Sequence, residues 1–189
     1  EQPKAIVAEN FYNTPGDLET AVNAIFNPLR AYNCLGALYP WQLEAYSEFQ
    51  IPRGSYAILN EYQGLDNTNI TRIGSMWDEF YLAIRNANLV IANGPNATDA
   101  SEAEIAKYVG EARFMRAFTY FLIIPHFGKL PLRTDANMNE LHVPLTDESG
   151  VYDLIIDDLK YAEQNLPDNP SSAGRPTKWS AKAVLADVY

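Results

Sequence analysis

The sequence predicts an all-α protein built of tetratricopeptide-like helical hairpins, an α-α superhelix, with a long irregular loop region. Three observations carry that expectation. Apolar residues recur at helical spacing in five segments, most of them opened or closed by capping residues or prolines. No run alternates strictly between apolar and polar, as a half-buried strand would. One segment, Phe114 to Leu122, is apolar nearly all round, which places it centrally in a bundle with neighbours on several sides. No clean self-similarity occurs at a period of about 34 residues, so any repeats are degenerate.

The first helix starts at Thr14-Pro15-Gly16-Asp17: a Thr cap, Pro at the first helical position, and an acid three residues after the cap. Leu18, Val22, Ile25 and Leu29 line its inner face, and Pro28 kinks it or ends it early. The second helix runs from about Ser75 to Ala92, with Trp77, Phe80, Tyr81, Ile84, Asn88 and Ile91 turned inward. Asn88 has to be hydrogen-bonded there, because an unpaired buried amide costs about 1–3 kcal/mol. Asn93-Gly94-Pro95-Asn96 ends this helix. Ser101-Glu102-Ala103-Glu104 is a capping box opening the third, which continues to about Ile124, where Pro125 stops it.

A loop carrying Gly128, Pro131 and Pro144 follows. The fourth helix, from about Ser149 to Leu166, buries Val151, Leu154, Ile155, Leu159 and Ala162 and ends at Pro167. A polar loop from Asp168 to Pro176 leads to a fifth, Ser180 to Tyr189, with Ala181, Val184, Leu185 and Val188 on one face. Nothing terminates that helix, so the chain is expected to be a fragment cut inside it. Residues 34–74 break the pattern and read as a loop-rich insertion.

Composition narrows the function. Over 189 residues, 14 Lys+Arg against 24 Asp+Glu leave a net charge of −10, which argues against a nucleic-acid partner. Apolar runs such as Phe121-Leu122-Ile123-Ile124 are too short to span a bilayer as a helix. A single cysteine, Cys34, excludes an internal disulfide and a Cys-built zinc site. Glu1-Gln2-Pro3-Lys4 has no apolar region behind it of the kind a signal peptide carries.

No catalytic, metal or cofactor residue is assigned. His126 and His142 are read into the Pro-rich loop, without a ligand partner at helical spacing. Nucleophile-elbow, phosphate-loop and dinucleotide motifs are absent. The carboxylate pairs Glu44/Glu48, Asp78/Glu79 and Asp157/Asp158 read as solvated helix faces. Arg113 and Arg116, three apart among aromatics, need a carboxylate to offset their desolvation; Glu79, Asp157 and Asp158 are the candidates.

The segment from Tyr39 to Tyr62 holds Tyr39, Trp41, Tyr46, Phe49, Tyr56 and Tyr62 among Gln42, Glu44, Gln50, Arg53, Asn60 and Glu61. Rings without helical period, mixed with amides and charges, suit sugar recognition: the C–H faces stack on aromatics while hydroxyls meet polar side chains. The plainer alternative is a loop folded over the bundle with its rings as packing.

At this point the chain resembles the SusD/RagB family. The residues that carry it are Gly110-Glu111-Ala112-Arg113-Phe114-Met115-Arg116-Ala117-Phe118-Thr119-Tyr120-Phe121, then His126-Phe127-Gly128-Lys129-Leu130-Pro131-Leu132. Val151-Tyr152-Asp153-Leu154-Ile155-Ile156-Asp157-Asp158-Leu159 and Gly174-Arg175-Pro176-Thr177-Lys178 supply two further landmarks, after the Trp77-to-Ile91 stripe. The resemblance implies that residues 1–189 are the N-terminal portion of a SusD-like helical domain. It implies a surface-exposed outer-membrane lipoprotein of Bacteroidota that binds an oligosaccharide, without catalysis, and delivers it to a SusC-like TonB-dependent transporter. The lipid-bearing cysteine of that family is missing here, and Cys34 lies too far in to replace it. The family's ligand loop varies, so Arg53, Tyr56, Asn60 and Tyr62 are chosen as ligand-binding residues on chemistry and location alone. The alternatives are a tetratricopeptide scaffold that grips a peptide and, behind it, an all-α carbohydrate-active enzyme.

Overall fold

The structure, a computed structural model, describes residues 11–170 and 172–189; the N-terminal stretch read above for a signal peptide lies outside them. Among these residues the architecture is all-α. The α-helices are α1 (Pro15–Leu29), α2 (Leu38–Ala45), α3 (Ala57–Asn60), α4 (Asn67–Asn93), α5 (Glu102–Phe127), α6 (Glu148–Asn165) and α7 (Lys178–Val188). One two-residue antiparallel pairing joins β1 (Leu130–Pro131) to β2 (Leu145–Thr146), with Leu130 opposite Thr146. The chain divides into two compact units: the described residues up to Ile25 with Ile84–Tyr189, and Phe26–Ala83.

In the first unit α5 packs on α6, and α6 on α7, the consecutive stacking of a tetratricopeptide-like array. Its start signals are realised as hydrogen bonds. The Thr14 hydroxyl accepts from the Asp17 N–H at 3.2 Å, and the Asp17 carboxylate accepts from the Thr14 N–H at 2.9 Å. Ser101 and Glu104 make the same reciprocal pair at the start of α5. Leu18, Val22 and Ile25 of α1 are fully buried, as are Val151, Ile155, Leu159 and Ala162 of α6. Leu154, expected inside, is half-buried, and the acid Asp158 takes a place on the inner face. Along α5, buried residues occur on most sides from Tyr108 to Ile124, as its all-round apolarity requires.

Prolines behave differently at the two helix ends. Pro28 lies one residue before the end of α1. Having no N–H, it leaves the Ala24 carbonyl without its usual helical donor, and the Asn86 side chain donates there instead at 2.9 Å. Pro125, expected to stop α5, sits inside its last turn, and the helix runs on to Phe127. Loss of one helical hydrogen bond is tolerated because the turn is closed beyond it. The Gly128 N–H bonds the Ile124 carbonyl at 2.9 Å, at a φ of 65° that favours glycine. His126 therefore lies on α5 rather than in the following loop.

In the second unit α4 begins at Asn67, eight residues before the expected start. Asp66 caps it, its carboxylate accepting from the Asn69 N–H at 2.8 Å. Phe80 is buried, whereas Trp77 and Tyr81 are half-buried and meet each other at 4.6 Å. Phe80 also takes the Tyr39 ring edge-on at 5.6 Å. Segment 34–74 carries α2, a 3-10 turn at Gly54–Tyr56, α3 and the first turns of α4. Its entry is tight at Gly36, where an added Cβ would lie 2.6 Å from the carbonyl oxygens of Arg30 and Ala31.

Candidate functional site

Two places concentrate chemistry, one in each unit. The first is a buried ion cluster on α5. Arg116, with a side chain only 3% exposed, donates from Nε and Nη2 to the two Asp158 oxygens at 2.7 and 2.9 Å. Its Nη1 donates to Asn88 Oδ1 at 2.6 Å and to Asp135 Oδ1 at 2.8 Å. Asn88 in turn donates to the Arg133 carbonyl at 3.2 Å, so the buried amide is satisfied as expected. Tyr120, fully buried, accepts from the Arg133 N–H and donates to its carbonyl, at 2.8 and 2.9 Å. These bonds tie the loop after α5 to the helix core.

Of the three carboxylates proposed for the arginines, Asp158 is the partner that forms. It also stands 3.7 Å from Arg113, whose guanidinium lies over the Tyr161 ring at 4.3 Å. Asp135 was not foreseen, because only the fold of the intervening loop brings it back to α5. Burial opposes charge on Arg116, but the two aspartates outweigh it and raise its pKa. Burial pushes the Asp135 carboxyl up, while the Arg116 hydrogen bond and charge more than reverse that and hold it below the ordinary aspartate value. The cluster's acids are occupied by a guanidinium, which makes it a clamp rather than an open acid–base pair. A second clamp joins Arg175 to Glu111 at 2.6 Å, Asn23 at 2.7 Å and Glu19 at 3.2 Å.

The second place is open. Within Phe26–Ala83, a hollow of about 270 Å³ is lined by Trp41, Ala45, Gln50, Pro52, Arg53 and Tyr56. Trp41 and Ala45 come from α2, and Tyr56 ends the 3-10 turn that Arg53 precedes. Trp41 is 47% exposed and held edge-on by Tyr32, with ring centroids 5.7 Å apart. Among the described residues no acid lines the hollow, although the chain as a whole is strongly acidic. Arg72 of α4 lies over the Tyr56 ring, 3.7 Å from its centroid.

Of the four chosen residues, the fold brings Arg53 and Tyr56 to this hollow. Asn60 and Tyr62 bond the last residue of α2 and the chain just after it. The Asn60 amide donates to the carbonyls of Ala45 and Ser47, both at 3.4 Å, and the Tyr62 hydroxyl to the Tyr46 carbonyl at 2.9 Å. Tyr62 adopts a φ of 53°, unusual for a residue with a side chain. Trp41 and Gln50, named in the aromatic segment but not chosen as ligand residues, and Ala45 and Pro52, not named, complete the lining. Arg72 had no signal in the sequence, since it is joined to Tyr56 by tertiary folding alone. Among the described residues no group of three or more His, Cys, Asp or Glu side chains could hold a metal ion. No helix among them is long and apolar enough to cross a membrane.

Comparison with known proteins gives a consistent result. A SusD-like family, described as starch-binding and associating with the outer membrane, matches residues 16–189. SusD-like protein P2 of Formosa agariphila is 30% identical over 198 residues, covering 100% of this chain and 39% of the relative. A solved laminarin-binding SusD-like protein superposes with a TM-score of 0.80 at 27% identity, over 94% of this chain and 40% of its own. A structure solved with a xylogluco-oligosaccharide gives 0.71 at 31% identity, over 91% of this chain and 34% of its own. The chain thus spans less than half the length of these proteins.

Proposed function

The chain belongs to the SusD-like family, and we propose on that premise that it forms part of a protein that binds an oligosaccharide at the bacterial cell surface without altering it. Residues 1–189 are the N-terminal portion of its helical domain, and segment 34–74 is the insertion that carries ligand contacts. The protein delivers its ligand to a SusC-like TonB-dependent transporter and is held on the outer membrane by a lipid anchor.

The observation that carries this reading is the acid-free hollow with two ring walls. A sugar presents apolar C–H faces and a rim of hydroxyls. Trp41 and Tyr56 offer surfaces for the former, and Arg53 and Gln50 offer donors for the latter. Asn60 and Tyr62 contribute by holding the turn at Tyr46 and Ser47 that borders these residues in sequence. Laminarin and a xylogluco-oligosaccharide in the names of two similar structures support the ligand class.

Calorimetry on the full-length protein with laminarin, xyloglucan and peptide panels tests it. Oligosaccharide binding is expected, weakened roughly tenfold by Trp41→Ala or Tyr56→Ala, within the range of a ring contact. Unchanged affinity in both variants would remove the hollow from the site. Binding of peptides alone, or release of reducing ends from any saccharide, would overturn the reading itself.

A further inference from the structure

Of the two rings that wall the hollow, Tyr56 is the one that no α-helix carries, for it ends a three-residue turn between extended Arg53 and the short α3. One face of its ring is covered by a hydrogen-bonded side chain from α4. The guanidinium of Arg72 lies 3.7 Å from the ring centroid. Its Nη1 donates to Asn69 Oδ1 at 2.8 Å and its Nη2 to Ser55 Oγ at 2.6 Å. Asn69 is fully buried, and its own amide donates to the Ser55 carbonyl and to Asp66 Oδ1, both at 2.8 Å. Asp66 meanwhile caps the first turn of α4.

Three features of this chain of contacts bear on its role. The planar fork of Arg72 is fixed by two neutral acceptors, and no carboxylate forms an ion pair with it among the described residues. The acceptors come from both sides, Asn69 from the helix and Ser55 from the turn next to Tyr56 itself. The ring is thereby referred to the start of α4 rather than to its own loop.

We infer that Arg72 is a positioning residue for the hollow: it fixes the Tyr56 ring so that a sugar meets a surface already in place. This rests on the reading of the hollow as an oligosaccharide site. Removing the ordering step before binding raises affinity without a new ligand contact. Losing it costs roughly three- to tenfold in affinity, the equivalent of one side chain's immobilisation.

Two measurements on the full-length protein test this. The first needs no ligand: fluorine NMR of fluorotyrosine-labelled protein, with the Tyr56 resonance identified by its loss in Tyr56→Phe. In Arg72→Met that resonance should move toward its unfolded-state position. In Arg72→Lys, which keeps the charge but loses the fork, it should fall between. An unmoved Tyr56 resonance in both would overturn the inference. The second is titration with laminarin and xylogluco-oligosaccharides. Arg72→Met should weaken binding three- to tenfold in the wild-type background and not at all in Tyr56→Ala. An equal loss in both backgrounds would overturn the inference, because Arg72 would then act independently of Tyr56. A wild-type protein that binds no oligosaccharide would overturn the reading of the hollow, while the resonance would still decide what Arg72 does to the ring.

Discussion

Around Arg116, charged groups are drawn inside and matched to one another, whereas between Trp41 and Tyr62 large apolar groups are left facing water. Phe49 is 93% exposed and Ile51 86%, in the stretch between two lining residues of the hollow. The buried amide of Gln42, next to Trp41, has no hydrogen-bond partner among the described residues. Both arrangements run against the ordinary preference of the side chains involved. The first is stabilised locally, since each buried charge has a partner within 3 Å. The second has no such compensation within its own unit, in keeping with the proposal that it meets a ligand.

The largest effect should come from breaking the ion cluster. Asp158→Ala leaves Nε and Nη2 of the buried Arg116 without acceptors, with only Asp135 and Asn88 still bonded at Nη1, and should cost about 3 kcal/mol of stability in chemical denaturation of the full-length protein. The double variant Arg116→Met with Asp158→Leu should recover part of that, because a buried guanidinium short of acceptors is the main penalty. In the second unit a close backbone approach is the target. Gly36→Ala drives a Cβ against two carbonyl oxygens and should cost about 1–3 kcal/mol, read the same way.

Tyr120→Phe leaves the Arg133 N–H without its acceptor and should cost about 1–3 kcal/mol, while the Arg133 carbonyl keeps Asn88. Trp41→Ala should move the melting point little, within about 0.5 kcal/mol, while weakening ligand binding as above. A stability loss on the scale of Asp158→Ala would dissolve the contrast between the regions.

The smallest effect concerns pH. Hydrogen bonds from the Thr14 side chain and backbone hold the Asp17 carboxyl below its ordinary value. A depressed folded-state pKa means the contribution is full above the unfolded value near pH 4 and disappears as pH falls through the folded one. Asp17→Asn should therefore lower stability slightly at neutral pH, where the contribution is full, and leave it unchanged below the folded-state pKa, which flattens the acid limb of the profile.

How much of this was legible in the sequence varies with the range of the interaction involved. The caps at Thr14 and Ser101, the inner faces of α1 and α6 and the centrality of α5 follow from residues within a turn or two of one another. The early start of α4 was missed although Asp66 is a standard cap, because Asn67, Thr68, Asn69 and Gly74 are poor helix formers that tertiary packing overrides. In the candidate site, Arg53 and Tyr56 were reachable from composition, whereas the roles of Asn60 and Tyr62 depended on which carbonyls the turn after α2 left open.

The sequence by itself determined the helical class, most helix ends and the need of Arg116 for an acid, since helical period, capping chemistry and desolvation act locally or on one group at a time. Only the tertiary structure decided that Asp135 would join Asp158 on that arginine, and that Arg72 would stand behind Tyr56. The physical reason is that both depend on where a loop closes in space, and a loop's closure is set by the elements it joins rather than by its own residues.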